Sequence, residues 1–166
     1  MMACRIAYVK VHKPLYFYAD YFSRNKDSFD YAFAFMDHQQ LTTQRRDLET
    51  QFRNKEGGKK VFDQIEIVEI IGEMKERNLE FVNIDIYESE PNTFKVKDGK
   101  VIMPLSIIPS LGEKAAEAIA RERTISKFKS MEEMIKRTKI NKNVAEFLVA
   151  NNIASHIPTS DQIVLF

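Results

Sequence analysis

Apolar residues recur at helical spacing over most of this chain, and the period shortens to two in only one region. Phe62, Ile65, Val68 and Met74 share the helical spacing and predict an amphipathic helix over 61–77, with Asn78 as its end. Leu15, Phe17, Tyr18, Tyr21 and Phe22 predict another, entered through Pro14, because a proline disfavours the α conformation in the residue ahead of it, here Lys13. The rings of that helix fall on more than one face, which suits a packed core better than a platform for stacked bases. Between the two lie a short apolar segment, Phe29 to Phe35, and a polar stretch from Asp37 to Lys60 with Gln39, Gln40, Arg45, Arg46, Arg53 and Lys55. The polar stretch predicts an exposed helix ending at Gly57-Gly58, where glycine would supply the C-cap. A basic face of this kind is by default solvated, although its cations could reach phosphates. Residues 1–11 also read as helix, with no N-cap residue ahead of them, the pattern expected of a piece cut from a longer chain.

Period two appears at Phe81-Val82 and Ile84-Asp85-Ile86, which predicts short strand. It returns in Thr93 to Lys97 and Lys100 to Met103, and the intervening Asp98-Gly99 suits the type I′ turn of a β-hairpin. The hairpin delivers the chain to Ile108-Pro109-Ser110-Leu111-Gly112, a tight turn ahead of an alanine-rich helix. Here Pro109 fixes the entry, Leu111 plugs the turn, and Gly112 is expected to bend where a Cβ would obstruct the backbone. The first turn of the following helix directs N–H groups outward at the positive end of the helix dipole, which favours a phosphate oxygen. Lys114 stands in that turn, where the dipole does not favour a cation, as if to serve an external anion. Further on, Ser130-Met131-Glu132-Glu133 has capping-box order before a helix ending near Arg137. Lys139-Ile140-Asn141-Lys142-Asn143 then repeats the arrangement of turn, apolar plug (Ile140) and polar cap, with Asn141 or Asn143 able to cap a helix over Val144 to Ala150. The pair resembles tandem helix-hairpin-helix units, which grip the backbone of duplex DNA without reading bases. Ser110 stands where that motif usually has a glycine, and the second unit has no glycine at all. The expected fold class is mainly α with a small β-hairpin. The candidate DNA-binding residues are Ser110, Leu111, Gly112, Lys114, Lys139, Asn141 and Lys142.

Composition narrows the function. The chain has 166 residues, 44% of them hydrophobic, enough for a real core. Its formal net charge is only +1, so nucleic acid can be held only through local placement of Lys and Arg, not by bulk charge. Cys4 is the single cysteine, and no Cys/His group has zinc spacing. No apolar run approaches the roughly 20 residues of a membrane span, and no secretory leader pattern is present. The expectation is a reducing, cytoplasmic setting.

Several blocks together resemble the C-terminal end of a PolC-type bacterial DNA polymerase III alpha subunit. They are Arg5 to Leu15, Tyr18-Ala19-Asp20-Tyr21-Phe22, Val82 to Tyr87 with Ser89 and Phe94, Ile108 to Gly112, Lys139 to Asn143, and Gln162-Ile163-Val164-Leu165-Phe166. The resemblance covers nearly the whole chain in order and is weakest across Asp37 to Lys60. It implies a helical fingers segment over 1–80, a duplex-DNA-binding region over 81–157 with tandem helix-hairpin-helix units, and a flexible tail over 158–166. That tail would carry a motif for the sliding clamp (beta subunit), with Gln162, Leu165 and Phe166 as its contacts; Ile163 and Val164 replace the leucine and small polar residue usual there. The resemblance further implies that the catalytic carboxylates lie upstream of Met1, so this chain would hold no catalytic or metal-binding residue, while magnesium would serve the full-length enzyme. The nearest acidic group, Asp85, Glu88 and Glu90, is then expected to serve turns, with Asp85 as a capping residue. His12 would be structural or touch the template strand. The implied partners are duplex DNA, the clamp and the rest of the polymerase, with no membrane. A stand-alone DNA-binding or protein-interaction module of a repair system is the other reading.

Overall fold

The computed structural model describes residues 8–158, in which helices dominate and there is one small sheet, as expected. Gln162, Leu165 and Phe166 lie outside the described residues, as does most of the first expected helix. The described chain divides into two units, one of residues 8–82 with 93–103 and the other of residues 83–92 with 104–158. The hairpin expected to accompany the C-terminal DNA-binding region therefore packs within the first unit instead.

In the first unit, residues 8–12 are helical and α1 spans Pro14–Arg24. Pro14 stands in its first turn, where the missing N–H costs nothing. Tyr18, Ala19 and Phe22 are its buried face. Phe22 joins Phe29, Phe81 and Phe94 in a cluster in which every pair of ring centroids lies between 5.1 and 6.2 Å apart. The rings of α1 thus serve packing, as the sequence predicts, although Tyr16 is exposed.

Helix α2 (His38–Arg53) opens on a complete capping box, Asp37 accepting from the Gln40 N–H and the Gln40 side chain accepting from the Asp37 N–H, both at 2.8 Å. It stops earlier than the glycine pair suggests. Lys55 takes the left-handed conformation (φ 59°), donating to the Phe52 carbonyl while Glu56 donates to that of Gln51, a Schellman closure. Gly57 is instead the N-cap of α3 (Gly58–Glu76), at φ 71°, where a Cβ would collide with Val61. Glycine is the residue most at ease in the left-handed region, so a pair of them reads as a stop. Here they start the next helix, because Lys55 has already closed the previous one.

The buried side of α3 is Val61, Ile67, Val68, Ile71 and Met74, while Phe62, expected on that side, is 46% exposed. A second Schellman closure at Asn78 (φ 57°) ends the helix where the sequence predicts. Strands β1 (Phe81–Val82), β2 (Lys95–Lys97) and β3 (Lys100–Ile102) form a sheet in the order β1-β3-β2. Asp98 and Gly99 both have positive φ (50° and 74°), as a type I′ turn requires. The expectation of strand over Ile84 to Ile86 fails: β1 ends at Val82, after pairing parallel with β3, and the chain turns away.

Glu73 is the polar tie of this unit. Its carboxylate accepts from Lys10 Nζ (2.7 Å), the buried Tyr18 hydroxyl (3.0 Å) and Arg77 (3.0 Å), so it holds the helical stretch 8–12 and α1 to α3. Burial alone would raise its pKa, but the hydrogen bonds from Lys10 and Tyr18 and the charges of Lys10 and Arg77 outweigh that and hold it below the ordinary value. Burial first, and then Glu73, push the Tyr18 hydroxyl up to about 12. Because the Glu73 pKa is lowered on folding, its contribution is present above the ordinary carboxylate range and lost as pH falls through the folded value. Denaturant titrations at neutral pH and near pH 4 should show stability falling on acidification, and less steeply in Glu73→Gln. An equally steep fall in the variant would show that Glu73 is not the group responsible.

Candidate nucleic-acid interface

Among the described residues the second unit holds three α-helices, a short 3-10 helix at Leu105–Ile107 and two corners. Helices α4 (Glu113–Ile125), α5 (Met131–Thr138) and α6 (Lys142–Ala150) bury Ala116, Ile119, Met131, Met134, Val144, Ala145 and Leu148. Ahead of α4, the segment 83–92 makes a closed turn in which Asp85 accepts from the N–H groups of Tyr87 (2.7 Å) and Glu88 (3.0 Å). The buried Ser89 hydroxyl accepts from the Asp85 N–H, so Asp85 is a turn residue, as the sequence suggests.

The two corners share one backbone pattern. Ser110 is left-handed (φ 64°), Leu111 is buried, and Gly112 is the exposed N-cap of α4. In the same order, Lys139 is left-handed (φ 57°), Ile140 is buried, and Asn141 is the exposed N-cap of α6. The echo inferred from residue types is therefore also an echo in conformation. Both left-handed positions hold residues with a Cβ, which costs about 1–2 kcal/mol relative to the right-handed region.

Gly112 corrects an expectation. Its backbone is extended (φ −71°, ψ 158°), a conformation open to any residue, and a Cβ on it would meet nothing within 4 Å. The turn bends at Ser110 instead. What Gly112 does supply is an N-cap with no side chain, beside open space. The carbonyl of Gly112 takes the N–H groups of Ala115 and Ala116 (3.0 Å each), and the N–H groups ahead of them face outward at the helix start. At the second corner the Asn141 side chain accepts from the Val144 N–H (2.8 Å), so Asn141, not Asn143, is the cap.

The cations divide into two sets. Arg123 donates to the carbonyls of Ile86 (2.8 Å) and Ser89 (2.6 Å), fastening the 83–92 turn to α4. Arg137 donates to the Glu122 carboxylate (3.2 Å) and carbonyl (2.6 Å), pairs with Glu133, and lies over the Phe128 ring (4.7 Å), fastening α5 to α4. These two are occupied within the fold. Lys114 and Lys139 are exposed and make no ion pair among the described residues, and Lys142 makes only a solvent-exposed one with Glu146 at 3.7 Å. Lys136, which the sequence reading passed over, is also exposed and lies three residues ahead of Lys139. That spacing, which sets two cations on one side of a helix end, was the available signal. Ser130 caps α5 by accepting from the Glu133 N–H (3.1 Å), whereas Glu133 reaches back to Lys129 rather than to Ser130.

Among the described residues no group of His, Cys, Asp and Glu could hold a metal ion, and no helix is long and apolar enough to cross a membrane. Ser110→Gly should raise stability by roughly 0.5–1 kcal/mol, since glycine is released from the left-handed strain but loses more chain entropy on folding. Denaturant unfolding measures it; a loss of stability in Ser110→Gly would show that the Ser110 side chain contributes more than its backbone costs.

The helix-hairpin-helix motif family matches residues 78–161, just over half of the chain and the whole of the described second unit. Over 165 residues, 99% of this chain, it is 34% identical to DNA polymerase III PolC-type of Thermotoga maritima, of which it spans 12%. The corresponding proteins of Caldanaerobacter subterraneus and Listeria innocua are 32% and 31% identical over the whole chain, which spans 12% and 11% of their lengths. The chain is thus similar from end to end to about an eighth of these polymerases. With two left-handed corners, two buried plugs and two exposed helix starts inside the matched region, the chain belongs to the helix-hairpin-helix motif family.

Proposed function

We propose that this chain is the part of a replicative DNA polymerase that holds duplex DNA by its phosphates and tethers the enzyme to its sliding clamp. The repeated corner carries the duplex reading. It sets a helix start, with outward N–H groups and lysines that the fold does not use, twice in one unit. A polymerase segment is favoured over a stand-alone repair module because residues 1–77, outside the matched motif, also align with the polymerase relatives. Nucleotide transfer and its magnesium ions then belong to carboxylates elsewhere in the polymerase. On this reading the isolated chain incorporates no nucleotide in primer extension with magnesium; incorporation above a protein-free control would refute it. A cytoplasmic setting follows from the same reading.

Duplex binding of this kind is indifferent to sequence and weakens steeply with salt, because each neutralised phosphate releases counterions. Lys114→Ala should weaken binding to every duplex alike and lower the salt slope by about one unit. Gly112→Val should stay folded, since the backbone there is extended and open, yet lose affinity because the branched side chain stands between the helix start and a phosphate. Anisotropy titrations with labelled duplexes, paired with thermal melts, measure both. A folded Gly112→Val that binds like the parent would remove the first corner from the interface.

The clamp reading rests on Gln162, Leu165 and Phe166. Gln162 offers an amide that both donates and accepts, and Leu165 and Phe166 are adjacent apolar anchors on a polar tail. Burial of each anchor in a partner's pocket contributes about 1.5–3 kcal/mol, enough for a releasable handle once the cost of ordering the tail is subtracted. Deleting Gln162 to Phe166 should abolish clamp binding in a pull-down or calorimetric titration while the melting temperature barely moves. Retained clamp binding with a lowered melting temperature would make the segment part of the core instead.

A further inference from the structure

The connection between α2 and α3 concentrates charge and aromatic surface that the duplex reading does not use. Residues 50–62 hold Arg53, Lys55, Lys59 and Lys60 against the single acid Glu56, in a chain of net charge only +1. Among the described residues none of these four cations has an ion-pair partner. Arg45, further back along α2, is by contrast held by Glu49 (2.9 Å) and Glu69 (2.7 Å). Lys59 and Lys60 lie in the first turn of α3, which contains no acidic residue, so the dipole there opposes them. Beside the cations, Phe52 and Phe62 are 45% and 46% exposed, with ring centroids 5.7 Å apart and planes tilted by 47°. A concavity of about 490 Å³ opens between Phe52, Arg53, Lys55 and Gly58. On the same two helices Leu41, Leu48, Val61 and Val68 are buried, whereas the two rings keep nearly half of their surface in solvent.

Uncompensated cations next to two half-exposed rings suit a polyanion that also offers flat apolar faces. Single-stranded nucleic acid has both, phosphates for the lysines and unstacked bases for the phenyl rings. A duplex offers phosphates but keeps its base faces stacked. We propose that the α2–α3 tip is a binding site for single-stranded nucleic acid, with Arg53, Lys55, Lys59 and Lys60 contacting phosphates and Phe52 and Phe62 stacking on bases. The site lies in the first unit and does not depend on the corners of the second.

The test compares binding of the 166-residue chain to a short labelled oligothymidylate and to a labelled duplex, by anisotropy across a salt series. Phe52→Leu with Phe62→Leu keeps apolar volume but removes the rings, and should weaken oligothymidylate binding about tenfold while leaving duplex binding unchanged. Lys55→Gln with Lys59→Gln and Lys60→Gln changes only exposed side chains and should lower the salt slope for oligothymidylate by about two units. Parent-like oligothymidylate binding in the triple lysine variant would overturn the proposal, whether or not the leucine variant folds. So would a parent chain that binds duplex but not oligothymidylate, which would leave the tip as a surface for a protein. Gly112→Val separates the two readings, since it should affect the duplex arm alone.

Discussion

Leu111 and Ile140 have to be buried while Gly112 and Asn141, one residue later, stay in solvent, and the second unit depends on meeting both demands twice. An extended chain meets the first half of this easily, because successive side chains point to opposite sides. The difficulty is the sharp reversal just before the plug, where the chain must turn back on itself within one residue. Ser110 and Lys139 supply it by entering the left-handed region, at a local cost that burial of the plug offsets. Helix starts are thereby held at the surface by side chains anchored in the core, so their position is as fixed as the core itself.

How much of this could be read in the sequence follows from how local each feature is. The plugs were legible because residue type alone carries them, an apolar residue between polar ones; so was an asparagine cap for α6, though the choice of Asn141 over Asn143 needed the structure. The left-handed residues were not, since serine and lysine have no preference for that region and glycine drew attention to the wrong position. The same error recurs at Gly57-Gly58, where Lys55 closes α2 and the glycines open α3. The parallel pairing of Phe81 with Val101 was beyond reach because it joins segments remote in sequence. So was the occupation of Arg123 and Arg137 by carbonyls and carboxylates far along the chain.

The arginines matter for how charge should be counted. A net charge of +1 says little about binding when the fold decides which cations are available. Guanidinium groups suit the internal ties, because their planar array of donors can satisfy several acceptors at once, as Arg137 does with Glu122, Ser126 and Glu133. Lys114 and Lys139 at the corners, and Lys55, Lys59 and Lys60 at the α2–α3 tip, are by contrast exposed and without an ion pair among the described residues, as compact charges on flexible stems. Such charges can follow a phosphate backbone without demanding a fixed geometry, which fits contacts that must be made and released as a polymer passes.

The two corners nevertheless differ in a way that divides their work. Asn141 satisfies one of its own helix N–H groups, which stabilises α6 by about 1 kcal/mol but leaves an arriving phosphate to compete with a side chain already in place. Gly112 offers no side chain, so no hydrogen bond within the protein would have to break for an anion to reach the first N–H groups of α4. On the duplex reading proposed above, the uncapped corner would be the better anion site, and the capped one is the better-formed corner. Arg137 fastens α5, which leads into the capped corner, to α4, which leads out of the uncapped one. The tie is made at Glu122, near the C-terminal end of α4, so it orients that helix from the end opposite its start, which no side chain caps.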